Sequence, residues 1–421
     1  MSDRSAPTEP RYPVRALHED DWAGFVATDS HAFGITVPDA VAEAEREVHE
    51  PGRGLGAFEG STPVAIATAF SFELTVPGGA LPAAGVSWVG VLPTHRRRGL
   101  LGALMTRQLQ DVHDAGREPL AALWASEPPI YGRFGYGLAS RSYALTVPRS
   151  AQAITEDAPA DPALRLRLVS PEDWRLMQPV YDVAARERPG MLARDERWWR
   201  RLVRDTPELR EGRSGLRAVV AEDEERVRGY ALYATKPDWA PGSQGGTVFV
   251  RETMSADAPA RAALYRYLFD LDLMGSTTLS NTPVDDPLLF WLRNTRAASP
   301  RLSDALYLRL VDVRTALRRR TYATPLDVVL DVRDDLCPWN HARWRLIADD
   351  GTEDGAVRCE RTDGPPDLEL GVRELGAAYL GGTALADLGL AGLVRELTPG
   401  ALRTASAAFL HTPAPWCPTA F

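Results

Sequence analysis

The segment that most constrains this chain runs Val86-Ser87-Trp88-Val89-Gly90-Val91-Leu92-Pro93-Thr94-His95-Arg96-Arg97-Arg98-Gly99-Leu100-Leu101. Its first six residues are largely apolar and β-branched, as in a buried strand. Its last residues open a helical pattern. Leu100, Leu101, Leu104, Met105, Leu109 and Val112 recur near helical spacing, while Arg107, Gln108, Gln110 and Asp111 take mostly the other face. Gly116 is placed to end that helix. A strand that feeds a helix N-terminus through a glycine turn leaves several N–H groups unpaired and facing one way. With the helix dipole behind them, they form an anion site suited to phosphate. No Gly-Lys-Ser/Thr follows, and only Gly99 stands in the turn, so neither the P-loop nor the dinucleotide fingerprint applies. Taken alone, His95 to Arg98 reads as a solvated basic turn. Its flanks make it a phosphate-ligand site.

At 421 residues, two or three domains are expected. The net charge of −9 argues against an extended nucleic-acid surface despite the arginine run. Cys337, Cys359 and Cys417 lie far apart with no CxxC pair, so neither a disulfide framework nor a metal site is expected. The stretch Met1 to Pro13 is polar and does not read as a signal peptide. No apolar run approaches the ~18 residues of a membrane span. The expectation is a soluble, cytoplasmic protein.

A second motif, Ala125-Ser126-Glu127-Pro128-Pro129-Ile130-Tyr131-Gly132-Arg133-Phe134-Gly135-Tyr136-Gly137, follows the apolar run Leu120 to Trp124. By itself it reads as glycine turns with packing aromatics. The two motifs together, in this order, resemble the Eis (enhanced intracellular survival) family of GNAT acetyltransferases. Arg96-x-x-Gly99 fits the superfamily acyl-CoA loop, with Leu101 where Gly or Ala is usual and Gly102 one residue later. The resemblance implies acetyl-CoA as co-substrate. It implies that Arg96, Arg97, Arg98, Gly99, Leu100, Leu101 and Gly102 cradle the pyrophosphate. Val89, Gly90 and Val91 would receive the thioester at a strand bulge, and Ser126, with Glu127 beside it, would contact the pantetheine arm. Tyr131 corresponds to the family's proton donor to the departing thiolate.

The chain also carries a faint internal repeat. Val14-Arg15-Ala16-Leu17-His18-Glu19-Asp20-Asp21-Trp22 returns as Leu166-Arg167-Leu168-Val169-Ser170-Pro171-Glu172-Asp173-Trp174, each a strand, an acidic cap and a helix start. Where the second copy should carry its loop, Thr247 to Met254 leads into Ala258-Pro259-Ala260-Arg261 with no glycine. A turn without glycine brings its backbone less close to a pyrophosphate, so the second copy is expected to lack the cofactor site. Ala151 to Ala163, rich in Ala, Asp and Pro, is the expected linker. After Leu302, strands at Leu326 to Val332, Ala342 to Leu346, Ala356 to Cys359 and Leu368 to Val372 precede helical stretches at Arg373 to Leu380, Thr383 to Leu390 and Thr404 to Leu410. This layout resembles the sterol-carrier-protein-like domain that ends Eis proteins. The expected fold is α/β (α+β): a GNAT-like domain over 1–150, a degenerate GNAT-like domain over 151–302, and a sterol-carrier-protein-like domain over 303–421.

The last residue is Phe421. In the family, a C-terminal carboxylate, usually on phenylalanine, is the general base, and Phe421 fits that pattern. Acidic residues in the family's acceptor pocket are matched here by Ala420 and by Phe33-Gly34-Ile35-Thr36-Val37, with Asp39 nearby but shifted, and Trp88 replaces a smaller aromatic. The expected acceptor is a small-molecule amine or a lysine side chain, with weaker use of aminoglycosides than in acid-bearing relatives. The resemblance also implies a homohexamer. The competing class is a lipid or small-molecule carrier acting through the C-terminal domain.

Overall fold

The computed structural model describes residues 11–238, 245–349 and 357–421. Of the N-terminal stretch Met1 to Pro13 only the last three residues are described, and Ala356 also lies outside the described residues.

Three sheets are present among the described residues. The first segment contributes β1 (Val14–Ala16), β2 (Leu55–Glu59), β3 (Thr62–Val76), β4 (Gly79–Val91), β5 (Leu120–Trp124), β6 (Gly137–Leu138) and β7 (Arg141–Pro148). The second contributes β8 (Arg165–Val169), β9 (Arg217–Glu222), β10 (Val227–Lys236), β11 (Gly246–Ser255), β12 (Met274–Pro283) and β13 (Arg301–Asp304), and then comes β14 (Leu306–Leu310). The first sheet runs β1-β2-β3-β4-β5-β14-β6 and the second β8-β9-β10-β11-β12-β7-β13. Position for position they are the same sheet, with one parallel pair each, β4 with β5 and β11 with β12. The repeated strings fall on the equivalent edge strands β1 and β8.

Two strands lie across the expected segment limits. β7 is within residues 1–150 yet joins the second sheet, and β14 is beyond residue 303 yet joins the first. Each sheet thus takes its sixth-position strand from beyond its own segment. The exchange buries Leu145 and Val147 in one core and Leu306, Leu308 and Leu310 in the other.

Helices follow the same plan. In the first half are α1 (Trp22–Phe33), α2 (Asp39–Arg46), α3 (Leu100–Ala115) and α4 (Pro128–Tyr131). In the second are α5 (Gln178–Glu187), α6 (Glu196–Val203), α7 (Ala258–Phe269) and α8 (Leu288–Trp291). The crossover helices α3 and α7 make the parallel pairs possible, since parallel neighbours need a long connection. α3 buries Leu100, Leu104, Met105, Leu109 and Val112 and ends at Gly116 in the left-handed region, φ 64°.

After α9 (Val313–Arg318) the third sheet runs β17 (Arg358–Arg361), β16 (Ala342–Ala348), β15 (Leu326–Arg333), β18 (Leu368–Gly371), β19 (Val394–Glu396), with α10 (Val372–Tyr379), α11 (Leu385–Leu390) and α12 (Ala401–Phe409). Its apolar side shares one core with the first sheet, in which Leu308 and Leu310 join Leu330, Leu346 and Leu375. The buried pair Arg309–Asp334 (2.8 Å) crosses the same junction.

Candidate active site

β4 and β5 pair only from Ala83 to Gly85 against Leu120 to Ala122. Beyond Gly85 the two strands part, and the rest of β4 has no ladder partner on that side. On its other side β4 bulges against β3. Ile66 faces Gly90 and Thr68 faces Ser87, so Trp88 and Val89 together oppose one residue. Trp88 takes φ 47°, a left-handed value for a bulky residue. The bulge lies at Trp88 and Val89, one residue ahead of the expected Val89 to Val91. A split parallel pair with a bulged strand exposes main-chain hydrogen-bonding groups to an extended ligand.

The turn after β4 is where the sequence places an anion site. Arg97 (φ 63°) and Gly99 (φ 79°) are both left-handed, which curves the backbone into a concave nest of N–H groups. Ala103 N–H is the first to bond within the helix, to Gly99 O at 3.0 Å. The N–H groups of Leu100, Leu101 and Gly102 precede it and have no intrahelical acceptor. The three arginines differ. Arg96 Nη2 donates to Ala32 O at 3.1 Å, and Arg98 donates to Thr94 O at 3.0 Å and to the Tyr12 hydroxyl. Among the described residues Arg97 has no protein partner and is exposed, which leaves its charge for a ligand.

Tyr131 closes the short helix α4 and is 8% exposed. It packs with Met105, Leu109, Leu123 and Phe134, and its ring meets Tyr136 edge-on at 6.3 Å. Burial, with the Glu127 charge second, raises its pKa above the usual tyrosine value. Its hydroxyl has no bond to any described protein group. A phenol so placed stays protonated at neutral pH. Ser126 and Glu127 are exposed on the turn before α4.

The C-terminal tail is drawn between the two GNAT-like halves. Trp416 N–H donates to Pro189 O (2.9 Å), and Asn281 Nδ2 donates to Cys417 O (2.9 Å). Trp124 Nε1 donates to Thr419 O (3.0 Å), and Arg194 Nε donates to Thr419 Oγ1 (3.0 Å). Arg201 Nη1 donates to Ala420 O (2.9 Å). Arg194 itself is held by Glu252 in a pair 1% and 2% exposed, and Tyr230 donates to the same carboxylate at 2.6 Å. These ties bring the Phe421 ring to 4.9 Å from Phe72 and 6.5 Å from Phe70, beside Gly85 where β4 and β5 part. The structure therefore brings the last residue of the chain to the first sheet.

An aromatic cluster covers the bulge. Trp88 meets Phe25 (5.4 Å), Phe70 (5.3 Å), Trp22 (6.3 Å) and His49 (6.0 Å), and Phe70 meets Trp198 (5.0 Å). Burial lowers the pKa of His49, so it is neutral at pH 7. Phe33 is 43% exposed at the end of α1, and Ala420 is exposed beside Arg201. On α1 stands one residue the sequence reading passed over, Asp29. Its Oδ1 is buried without a hydrogen-bond partner, and burial raises its pKa to about 6. The signal was its place four residues after Phe25 and four before Phe33.

The second sheet repeats the bulge, with Leu232 facing Glu252 and Tyr233 facing Val250, but its helix N-terminus is already satisfied. Asp257 Oδ1 accepts from Ala260 N–H (2.9 Å), Pro259 has no N–H, and Arg228 pairs with Asp257 (2.8 Å). The buried pair Arg261–Asp286 (2.7 Å) and Trp416 line the equivalent cleft.

Residues 13–139 match a family model described as an acetyltransferase (GNAT) domain, residues 190–314 match another with the same description, and residues 313–418 match a sterol carrier protein domain. An uncharacterized N-acetyltransferase of Streptomyces avermitilis is 45% identical over 97% of this chain and 99% of its own. N-acetyltransferase Eis of Mycobacterium tuberculosis is 34% identical, covering 93% of this chain and 95% of its own. The crystal structure of Eis1 from Mycobacterium abscessus has a TM-score of 0.82 at 35% identity, covering 97% of this chain and 100% of that one.

Proposed function

Since the chain belongs to the Eis family of GNAT N-acetyltransferases, we propose that it acetylates a primary amine, on a small molecule or a lysine side chain, at the cleft between β4 and β5. Membership in the family makes it an acyltransferase, and the GNAT fold implies acetyl-CoA as co-substrate. That molecule supplies an activated acetyl thioester. The residues present suit it: a left-handed nest at Arg97 and Gly99, free N–H groups at the start of α3, and an unpaired edge on β4.

In this reading Arg97 and the N–H groups of Leu100 to Gly102 hold the pyrophosphate. Main-chain groups near the Trp88–Val89 bulge orient the thioester. Tyr131 donates a proton to the thiolate; the ordinary pKa values are roughly 10 against 8.5, and the burial that raises Tyr131 makes the transfer somewhat more uphill. The Phe421 carboxylate accepts a proton from the amine side. What supports the reading is that Tyr131 packs on Val86 and Leu123, Phe421 lies against Gly85, and the left-handed turn at Arg97 and Gly99 follows the same strand β4. The second GNAT-like half holds Thr419 and Ala420 in place, so each chain carries one active site.

Ala420 and the segment Phe33 to Val37 carry no carboxylate where the acidic pocket of the family would, and Arg201 bonds the Ala420 carbonyl. This supports poorer use of aminoglycosides than in acid-bearing relatives. No helix among the described residues is long and apolar enough to cross a membrane. Family resemblance supports a homohexamer, which light scattering would measure. The function is tested by CoA release across a panel of amines. Turnover of at least one amine is expected, and it should fall when residues are appended after Phe421. Undiminished turnover in the extended protein would remove the terminal carboxylate from the mechanism.

A further inference from the structure

Asp29 lies on the face of α1 turned to the bulge. One turn before it, Phe25 contacts Trp88 at 5.4 Å, and Trp22 reaches the same ring at 6.3 Å. One turn after it, the helix meets Gly90. A Cβ built on Gly90 would stand 2.9 Å from Ala32 Cβ and 3.9 Å from Phe33 Cε2. Phe25, Asp29 and Ala32 follow the spacing of one helical face, and Phe33 completes the turn above. Both turns that flank Asp29 therefore touch Trp88 to Gly90, the stretch that receives the thioester in the proposed function. Thr28 points elsewhere, donating to Pro63 O at 2.7 Å.

A buried carboxyl oxygen without a partner is costly and is retained only for a reason. The ionisable groups nearest this face are His49 and Glu50 before β2 and Arg46 on α2. Glu50 is engaged with Ser71, and Arg46 lies over Trp22 at 6.0 Å. None is bonded to Asp29.

We propose that Asp29 is the carboxylate that recognises the acceptor as an ammonium ion and takes the proton that frees its lone pair. The N–H bond of the ammonium breaks, an O–H bond forms on Asp29, and the uncharged amine is left facing the bulge. The proposal rests on the acyl-transfer reading of this cleft and names its acceptor class: amines that arrive protonated, bound through one charge at the Asp29 carboxylate, beside the packed rings of Trp22, Phe25 and Trp88. The raised pKa of Asp29 brings it nearer to that of an amine than an exposed carboxylate would be. It also gives the reaction two proton acceptors, Asp29 for the ammonium proton and the Phe421 carboxylate for the proton released after attack.

The test uses the full chain with Asp29→Asn, an isosteric change, and two amines of similar size. Phenethylamine is an ammonium at neutral pH, and O-benzylhydroxylamine is uncharged. CoA release should show kcat/KM for phenethylamine falling about a hundredfold, the usual scale of general-base loss. For O-benzylhydroxylamine it should change by less than about threefold. In the unsubstituted enzyme kcat/KM for phenethylamine should decline below a pH of about 6, and the variant should lose that limb. Acetyl-CoA should stabilise both proteins equally against heat. An equal loss on both amines, or on neither, overturns the assignment. So does an unsubstituted enzyme that is stabilised by acetyl-CoA yet acetylates neither amine. Absence of stabilisation by acetyl-CoA would instead overturn the underlying reading of the cleft.

Discussion

Thr419→Val isolates the device that holds the chain terminus. The side chain keeps its shape, and the Trp124 bond to the Thr419 carbonyl is untouched. What disappears is the acceptor for Arg194 Nε, a 3.0 Å bond to a guanidinium 1% exposed. Glu252 satisfies the other two nitrogens of Arg194, so Nε has no substitute partner. A buried hydrogen bond to a charged group is worth about 1.5–3 kcal/mol. Because Arg194 belongs to the body and Thr419 to the tail, that loss falls on tail docking rather than on global folding. It corresponds to roughly a 10- to 150-fold rise in the undocked population, at about 1.4 kcal/mol per tenfold. Carboxypeptidase release of Phe421 measures this population directly while undocking is fast against cleavage. We expect release to accelerate by that factor in Thr419→Val and to stay near the unsubstituted rate in Thr419→Ser, which restores the hydroxyl. Turnover should fall in the valine variant once undocking is appreciable, with acetyl-CoA affinity unchanged. Equal carboxypeptidase rates in the valine variant and the unsubstituted chain would refute the anchoring argument.

Further outcomes follow from the same structure. Arg97→Ala should weaken acetyl-CoA binding by about 1 kcal/mol, the scale of a partly exposed phosphate contact. Arg96→Ala should weaken it less, since that side chain is spent on Ala32 O; titration of each variant measures the order. Asp29→Asn should raise the apparent melting temperature at pH 8. A carboxyl whose pKa rises on folding, from 3.8 to about 6, penalises the native state above the unfolded value and does so fully above about 6. The whole shift amounts to about 3 kcal/mol, and the half-buried position lowers this to about 1–2 kcal/mol. The gain should shrink through pH 5 and be essentially gone by about pH 3, below both pKa values, and a gain that persists there would show that charge is not its source.

Much of the architecture is readable from local pattern. The helical spacing of Leu100 to Val112 between Gly99 and Gly116 defines α3 within a residue, because both ends are left-handed glycines. The twin strings at Val14 and Leu166 mark equivalent edge strands, because a strand, an acidic cap and a helix start are local events. The exchange of β7 and β14 is not readable, since either strand satisfies either sheet and only long-range packing decides. The bulge falls one residue from its expected place, because its position depends on how β3 registers against β4. Asp29 stands among Thr28, Ser30 and His31 and reads as a solvated face. Its burial is tertiary: the same helix packs Phe25 against Trp88, which arrives from a strand far along the chain. The Arg194–Glu252 anchor likewise joins residues with no local signature.

The central claim is that this cleft performs acetyl transfer with Tyr131 as the proton donor. Tyr131→Phe removes one oxygen from a side chain whose hydroxyl bonds no described protein group, so the fold should be unaffected. Steady-state CoA release with a turned-over amine should show kcat falling by about 10²–10⁴, the range for loss of a general acid, while acetyl-CoA affinity stays within about twofold. A phenylalanine variant with undiminished kcat would contradict the account.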